Sequence, residues 1–224
     1  MGKMVALIAV KGQSDRVPTK NIRPFADTSL LELKLSQIKQ VASIDEIVVS
    51  SEDEKVLDLA RPFEVTLHHR DPIHSKSSSP MSKVYSYLAT EVAESGDHIV
   101  WIPVTNPLAE APIYEEAIQF FKKMDTQTYD SLISVHEVKD YIIYKGKPLN
   151  FQPNPWPRSQ DLKDTYEINF AVNILPRDKM VEWGSLHGVN PYYYPVPEES
   201  AMDIDFPIDF EICEYIYKKN KGLK

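Results

Sequence analysis

The stretch Leu7-Ile-Ala-Val-Lys-Gly-Gln-Ser-Asp-Arg-Val-Pro-Thr-Lys-Asn21 passes from an apolar, β-branched segment directly into a polar loop. The apolar part begins at Val5 and ends at Val10, which predicts a buried strand. The loop holds Lys11, Gly12, Ser14, Arg16 and Lys20. Cations neutralise phosphate oxygens, and a glycine lets backbone N–H groups approach them. A solvated surface turn is the competing reading. Position favours phosphate, because the carboxyl ends of strands are where open α/β sheets bind ligands. The loop contains a single glycine and no Gly-x4-Gly-Lys-Ser/Thr pattern, so it is neither a P-loop nor a dinucleotide fingerprint.

Outward from this loop the chain alternates strand and helix. Ser29-Leu-Leu-Glu32 is a capping-box pattern opening a helix to about Val41. Further strands are predicted at Glu46–Ser50, Val65–His68, His98–Ile102 and Ser131–Val135. Helices are predicted at Glu52–Arg61, Pro80–Glu94 and Ala111–Lys123. This order implies an α/β fold with a mostly parallel sheet and helices on both faces. After Glu137 the character changes. Asp140–Asp164, an insert at about 139–165, carries Tyr141-Ile-Ile-Tyr-Lys-Gly-Lys and then Pro153, Pro155 and Pro157 around Trp156. Prolines so spaced exclude a central helix or strand, so this is read as an inserted arm. Tyr166–Ile174 and Tyr192–Val196 return as strands, and Pro176–Trp183 as a short helix. Met202–Asp205 is predicted as a final short strand, with Pro207 starting a terminal helix. Residues 1–224 read as one domain.

A net charge of -8 argues against a general nucleic-acid binder. No apolar run is long enough to span a bilayer. One cysteine, Cys213, excludes an internal disulfide framework and fits a reducing cytoplasm.

The second constellation is Asp203-Ile204-Asp205. In an extended segment, positions i and i+2 share a face, and two carboxylates on one face repel unless a cation lies between them. Mg2+ suits such a pair, since it takes one or two carboxylates and completes its shell with water and phosphate. The alternative is a polar chain end that helps the dipole of the last helix.

With both constellations in view, Lys11-Gly-Gln-Ser-Asp-Arg-Val-Pro-Thr-Lys-Asn-Ile22 resembles the nucleotide loop of the acylneuraminate (CMP-sialic acid synthetase) cytidylyltransferases. Ser50-Ser-Glu-Asp53 and Val104-Thr-Asn-Pro-Leu108 resemble two later segments of that family. Ser200-Ala-Met-Asp-Ile-Asp-Phe-Pro-Ile-Asp-Phe210 resembles its C-terminal signature. The four matches come in family order and span nearly the whole chain. The resemblance implies a Rossmann-like nucleotidyltransferase fold with an inserted dimerisation arm, and hence a homodimer. It implies transfer of CMP from CTP to an acidic sugar, a sialic-acid-like nonulosonic acid, with release of pyrophosphate. By matching position, Lys11, Ser14 and Lys20 hold the triphosphate, with Gly12 in the same loop. Asn21 orders the loop or the nucleotide, and Arg70 lies near the cytidine pocket. Asp203 and Asp205 hold Mg2+, and Lys20, Arg16, Asp203 and Asp205 form the catalytic set. Arg158 and Asn169 are the expected acceptor contacts.

The departures concentrate on the acceptor half. Lys11 stands for an arginine, which keeps charge but loses a two-point contact. Asp15 replaces a lysine, and Arg16 follows one step later, a spacing closer to the related CMP-KDO synthetases. Pro103 and Ala109 replace a glutamine and an arginine, and Asn169-Phe170 replaces an Asn-Gly pair. A KDO-like or phosphonate acceptor is therefore the alternative, with a metal-dependent sugar-nucleotide glycosyltransferase behind it.

Overall fold

The computed structural model describes residues 2–13, 17–162 and 164–223. Seven of its strands form one sheet: β1 (Met4–Ala9), β4 (Glu46–Ser51), β5 (Thr66–His69), β6 (His98–Trp101), β7 (Ser131–Glu137), β10 (Tyr166–Pro176) and β11 (Pro191–Pro195). Two small hairpins lie outside it, β2 (Pro24–Phe25) with β3 (Thr28–Ser29) and β8 (Ile143–Tyr144) with β9 (Lys147–Pro148). The spatial order is β11-β7-β10-β6-β1-β4-β5. Every neighbouring pair is parallel except β10, which runs antiparallel to both β6 and β7.

β1 is central because it is apolar on both faces. Leu7 pairs in register with Val48 on one side and Trp101 on the other. Its side chains divide by the two-residue period of a strand. Met4, Ala6, Ile8 and then Val10 enter one core layer, while Val5 and Leu7 enter the other. The first layer is closed by α1 (Leu30–Ile38), α2 (Glu54–Ala60), α4 (Ala111–Lys123) and α7 (Pro207–Lys221). The second is closed by α3 (Met81–Val92) and α5 (Arg177–Trp183). Helices thus cover both faces, as the alternation of the sequence predicts. Burying each such Leu, Ile or Val contributes about 1.5–3 kcal/mol.

Helix α1 begins where the capping pattern places it. The Ser29 hydroxyl accepts from the Glu32 amide at 3.3 Å and donates to the Glu32 carboxylate at 2.6 Å. The helix stops at Ile38 rather than Val41, since tighter i to i+3 bonds from Gln40 and Val41 close its last turn. One prediction fails outright: Met202–Asp205 is not a strand. It is an extended loop between α6 (Glu198–Ala201) and α7, tied to the β6 end by a bond from the Ile204 amide to the Thr105 carbonyl at 2.9 Å. One such bond does not make a ladder.

The arm packs on itself. The rings of Tyr141, Phe151 and Trp156 lie 4.9 to 5.1 Å apart, and the Tyr141 hydroxyl donates to the Pro157 carbonyl at 2.6 Å. Ile143, Tyr144, Leu149 and Trp156 remain exposed. Cys213 is buried in α7, and burial pushes its thiol up to about 12. Among the described residues no helix is long and apolar enough to cross a membrane.

Candidate active site

The loop after β1 is built on buried polar contacts. Arg70 leaves the end of β5 almost wholly buried and donates to the Val10 carbonyl and, at 2.8 Å, to the Glu52 carboxylate. The other oxygen of Glu52 accepts the Gly12 amide at 3.0 Å. Burial pushes the Glu52 carboxyl up, but Ser75, its own amide, Gly12 and Arg70 stabilise the charged form and hold it below its ordinary value. Gly12 is required for close approach: a Cβ there would lie 2.1 Å from the carboxylate of Asp53, which caps α2. The Asn21 amide donates to the Lys11 carbonyl at 3.0 Å, fixing the two ends of the loop to each other.

A cleft of about 440 Å³ opens above this loop, lined by Lys11, Gln13, Lys20, Asn21, Asp203 and Asp205 among others. The two constellations, far apart in sequence, therefore share one cavity. Lys20 joins them directly, since its ammonium donates to the Ile204 carbonyl 184 residues away. Ile204 is fully buried between the two aspartates, so both flanking side chains reach the cleft from an extended backbone.

Asp203 and Asp205 also line a second cleft of about 540 Å³, with His136, Glu167, Asn169 and Phe170. They form the wall between the two cavities. The Asp203 carboxyl is held above its ordinary value, first by burial and then by repulsion from Asp205. A Thr105 hydrogen bond and attraction to Lys20 act in the opposite sense. The side chain still has solvent access, as suits a group at a cleft wall. Asp209 lines the second cleft as well, with its carboxylate accepting the Asp205 and Phe206 amides at 3.0 and 2.7 Å and closing the first turn of α7.

Not every expected residue lies at the cavity. Gly12 and Arg70 shape the loop from below and do not line either cleft. Ser14 and Arg16 lie outside the described residues. Asn169 lines the second cleft, though its side-chain oxygen already accepts from the Ser134 hydroxyl at 2.6 Å and the Ala171 amide at 3.1 Å. Arg158 sits on the arm, exposed, in a two-point pair with Asp161 at 2.7 and 3.0 Å. It lines neither cleft.

Sequence reasoning missed three contributors. Glu52 organises the loop, and Thr105 holds both Asp203 and Ile204. Lys34, fully buried in α1, donates to the carbonyls of Asn106 and Ala109 at 2.9 Å each and lies 2.7 Å from the Tyr114 hydroxyl. Burial lowers its pKa well below the ordinary lysine value, against a smaller opposing attraction to Glu110. The Asn106 side chain in turn donates to the Ala201 and Met202 carbonyls at 3.1 Å. Lys34 thus steadies the ledge on which the two aspartates hang. Glu52 and Thr105 did lie in the Ser50–Asp53 and Val104–Leu108 segments marked by their resemblance, and Thr105 also stands just beyond a strand's carboxyl end, but neither segment showed which groups they bond. Lys34 carried no signal, since a helical lysine is ordinarily exposed.

The chain is similar to known proteins in sequence and in fold. A family model described as Cytidylyltransferase matches residues 5–166. The N-acylneuraminate cytidylyltransferase A of Danio rerio is 28% identical over 93% of this chain, which spans 49% of that protein. The pseudaminic acid cytidylyltransferase of Campylobacter jejuni is 23% identical, with 97% of each chain covered. A solved CMP:2-keto-3-deoxy-manno-octonic acid synthetase in complex with CTP superposes with a TM-score of 0.68 at 14% identity. That superposition covers 98% of this chain and 100% of the other, a likeness of fold.

Proposed function

The chain belongs to the cytidylyltransferase family, and from that premise we propose that it transfers CMP from CTP to a hydroxyl of a sialic-acid-like nonulosonic acid, releasing pyrophosphate. One observation carries this reading: Asp203 and Asp205 line both the cleft that holds Lys11 and Lys20 and the cleft that holds Asn169 and His136. A nucleotide in the first and an acidic sugar in the second meet at that wall.

In this arrangement the triphosphate lies along Lys11 and Lys20, whose charges offset its oxygens and the developing charge on pyrophosphate. Asn21 and Glu52 hold the loop in the shape that presents those cations. The acceptor hydroxyl attacks the α-phosphorus in line, so no protein nucleophile is needed and catalysis rests on positioning and charge. Asp203 and Asp205 are the proposed holders of Mg2+. Their fit rests on the donor set: two hard carboxylates at one wall, whose mutual repulsion a cation relieves. A pair of carboxylates leaves the rest of the ion's shell to substrate phosphates and water. When bound, the ion supplies charge neutralisation on the phosphates and a lower pKa for the attacking hydroxyl. The exposed apolar residues of the arm support pairing of two copies through it. The single, unpaired cysteine supports a cytoplasmic setting.

The test is to incubate the protein with CTP, Mg2+ and, separately, N-acetylneuraminic, pseudaminic and legionaminic acids, KDO and aminoethylphosphonate, measuring pyrophosphate. Release is expected with a nonulosonic acid. Release confined to KDO or the phosphonate reassigns the acceptor, and no acceptor-dependent release refutes the transferase reading.

A further inference from the structure

Phe170 has a backbone φ of +55°, in the left-handed region that disfavours a side chain with a Cβ. It sits where β10 loses register with β7, between Ile168 and Asn173, so it belongs to a bulge. Buried polar groups hold that bulge in place. The Asn169 side-chain oxygen accepts the Ala171 amide at 3.1 Å, and the Ser134 hydroxyl accepts the Val172 amide at 3.0 Å. The Ser134 hydroxyl also donates to Asn169 at 2.6 Å, which locks the two clamps together. The neighbours Asn169 and Ala171 are buried, while Phe170 itself is 47% exposed. Its ring opens into the second cleft, whose wall is Asp203 and Asp205.

A strained backbone persists only where its surroundings over-determine it, and such positions cluster at binding sites. Here two buried side chains hold an aromatic ring out of the core and in a cavity. An exposed phenylalanine with no core to fill gains most from an apolar surface that arrives later.

We infer that Phe170 is a specificity-determining residue of the acceptor cleft, a platform for the C–H face or acyl methyl of the sugar, with Asn169 and Ser134 as the positioning residues that present it. This rests on the transferase reading above. The polar end of the acceptor then faces the aspartate wall while its apolar face lies on the ring. Asn169 acts through the bulge rather than by touching the sugar.

The test compares Phe170→Gly and Phe170→Tyr with the wild type, using N-acetylneuraminic and pseudaminic acids as probes. For a probe that is turned over, Phe170→Gly is expected to raise the acceptor KM about tenfold, the worth of half a buried aromatic face. The KM for CTP is expected to stay unchanged. Phe170→Tyr, which keeps the ring, is expected to restore the acceptor KM. The thermal midpoint of Phe170→Gly should not fall, because glycine adopts the backbone angle without strain. An unchanged acceptor KM, or equal rises for acceptor and CTP, overturns the proposal. Should the wild type turn over neither probe, saturation-transfer NMR of the same sugars reads the platform without turnover. Loss of their signal in Phe170→Gly supports it, and an equal or absent signal in both proteins overturns it.

Discussion

The two clefts on either side of Asp203 and Asp205 differ in charge. The nucleotide-side cleft brings Lys11 and Lys20 to the wall. The acceptor-side cleft is lined by Glu167, Glu198 and Asp209 beside the shared pair, with His136 and no lysine or arginine among its described lining residues. A triphosphate finds complementary charge in the chain itself. The acidic sugar of the proposed reaction would not, and its entry would depend on neutralising the wall first. The two sides also differ in how they are held. The loop beside the first cleft is fixed by long-range contacts from Arg70, Glu52, Asn21 and Lys20, whereas the second cleft is shaped by a bulge with a positive φ at Phe170 that Ser134 and Asn169 clamp locally.

Three variants break or sharpen this contrast. Asp205→Asn removes a wall carboxylate that both sides use, and kcat is expected to fall about 10²–10³-fold with the circular dichroism spectrum unchanged; a wild-type rate removes Asp205 from the chemistry. Lys20→Ala removes a cation that lines the first cleft and not the second. The KM for CTP is expected to rise roughly tenfold to a hundredfold, the worth of a charge-assisted contact, with the acceptor KM little changed; steady-state kinetics with each substrate varied checks it, and a selective acceptor defect contradicts the assignment.

The smallest effect concerns the wall without ligands. The Asp203 carboxyl is held above its ordinary value, so its ionised form costs the folded state stability. The cost is absent below the ordinary aspartate pKa of about 3.9 and complete above the raised folded value. Asp203→Asn should therefore raise the thermal midpoint at pH 7 in metal-free buffer, and the gain should vanish near pH 3. Calorimetry at the two pH values checks it, and a lower midpoint at pH 7 reverses the sign of the argument.

The arrangement of sheet and helices was legible because β1 is apolar at consecutive positions and helices recur between the strands. The charged members of the site were legible for a related reason: Lys11 and Lys20 stand beside a strand end, and Asp203 and Asp205 stand two residues apart. Their contacts were not. Glu52 bonds Gly12 across 40 residues, and Lys34 reaches Ala109 across 75. Glu52 stood in a segment marked only by its resemblance, with no sign of what it bonds, and nothing local distinguishes Lys34 from a surface lysine. The Met202–Asp205 strand misread has the same root, since an apolar residue between two acids signals an extended backbone but not what it pairs with.

The chain's order of residues determined the layers, the phosphate-type loop and the carboxylate pair, since each depends on spacing within a few residues. Only the tertiary structure decided that the pair divides two cavities, that Arg70 and Gly12 support the loop rather than line it, and that Phe170 is turned outward on a bulge. Those outcomes depend on which distant groups compete for the same buried hydrogen bonds, and that competition exists only once the sheet has brought the strand ends together.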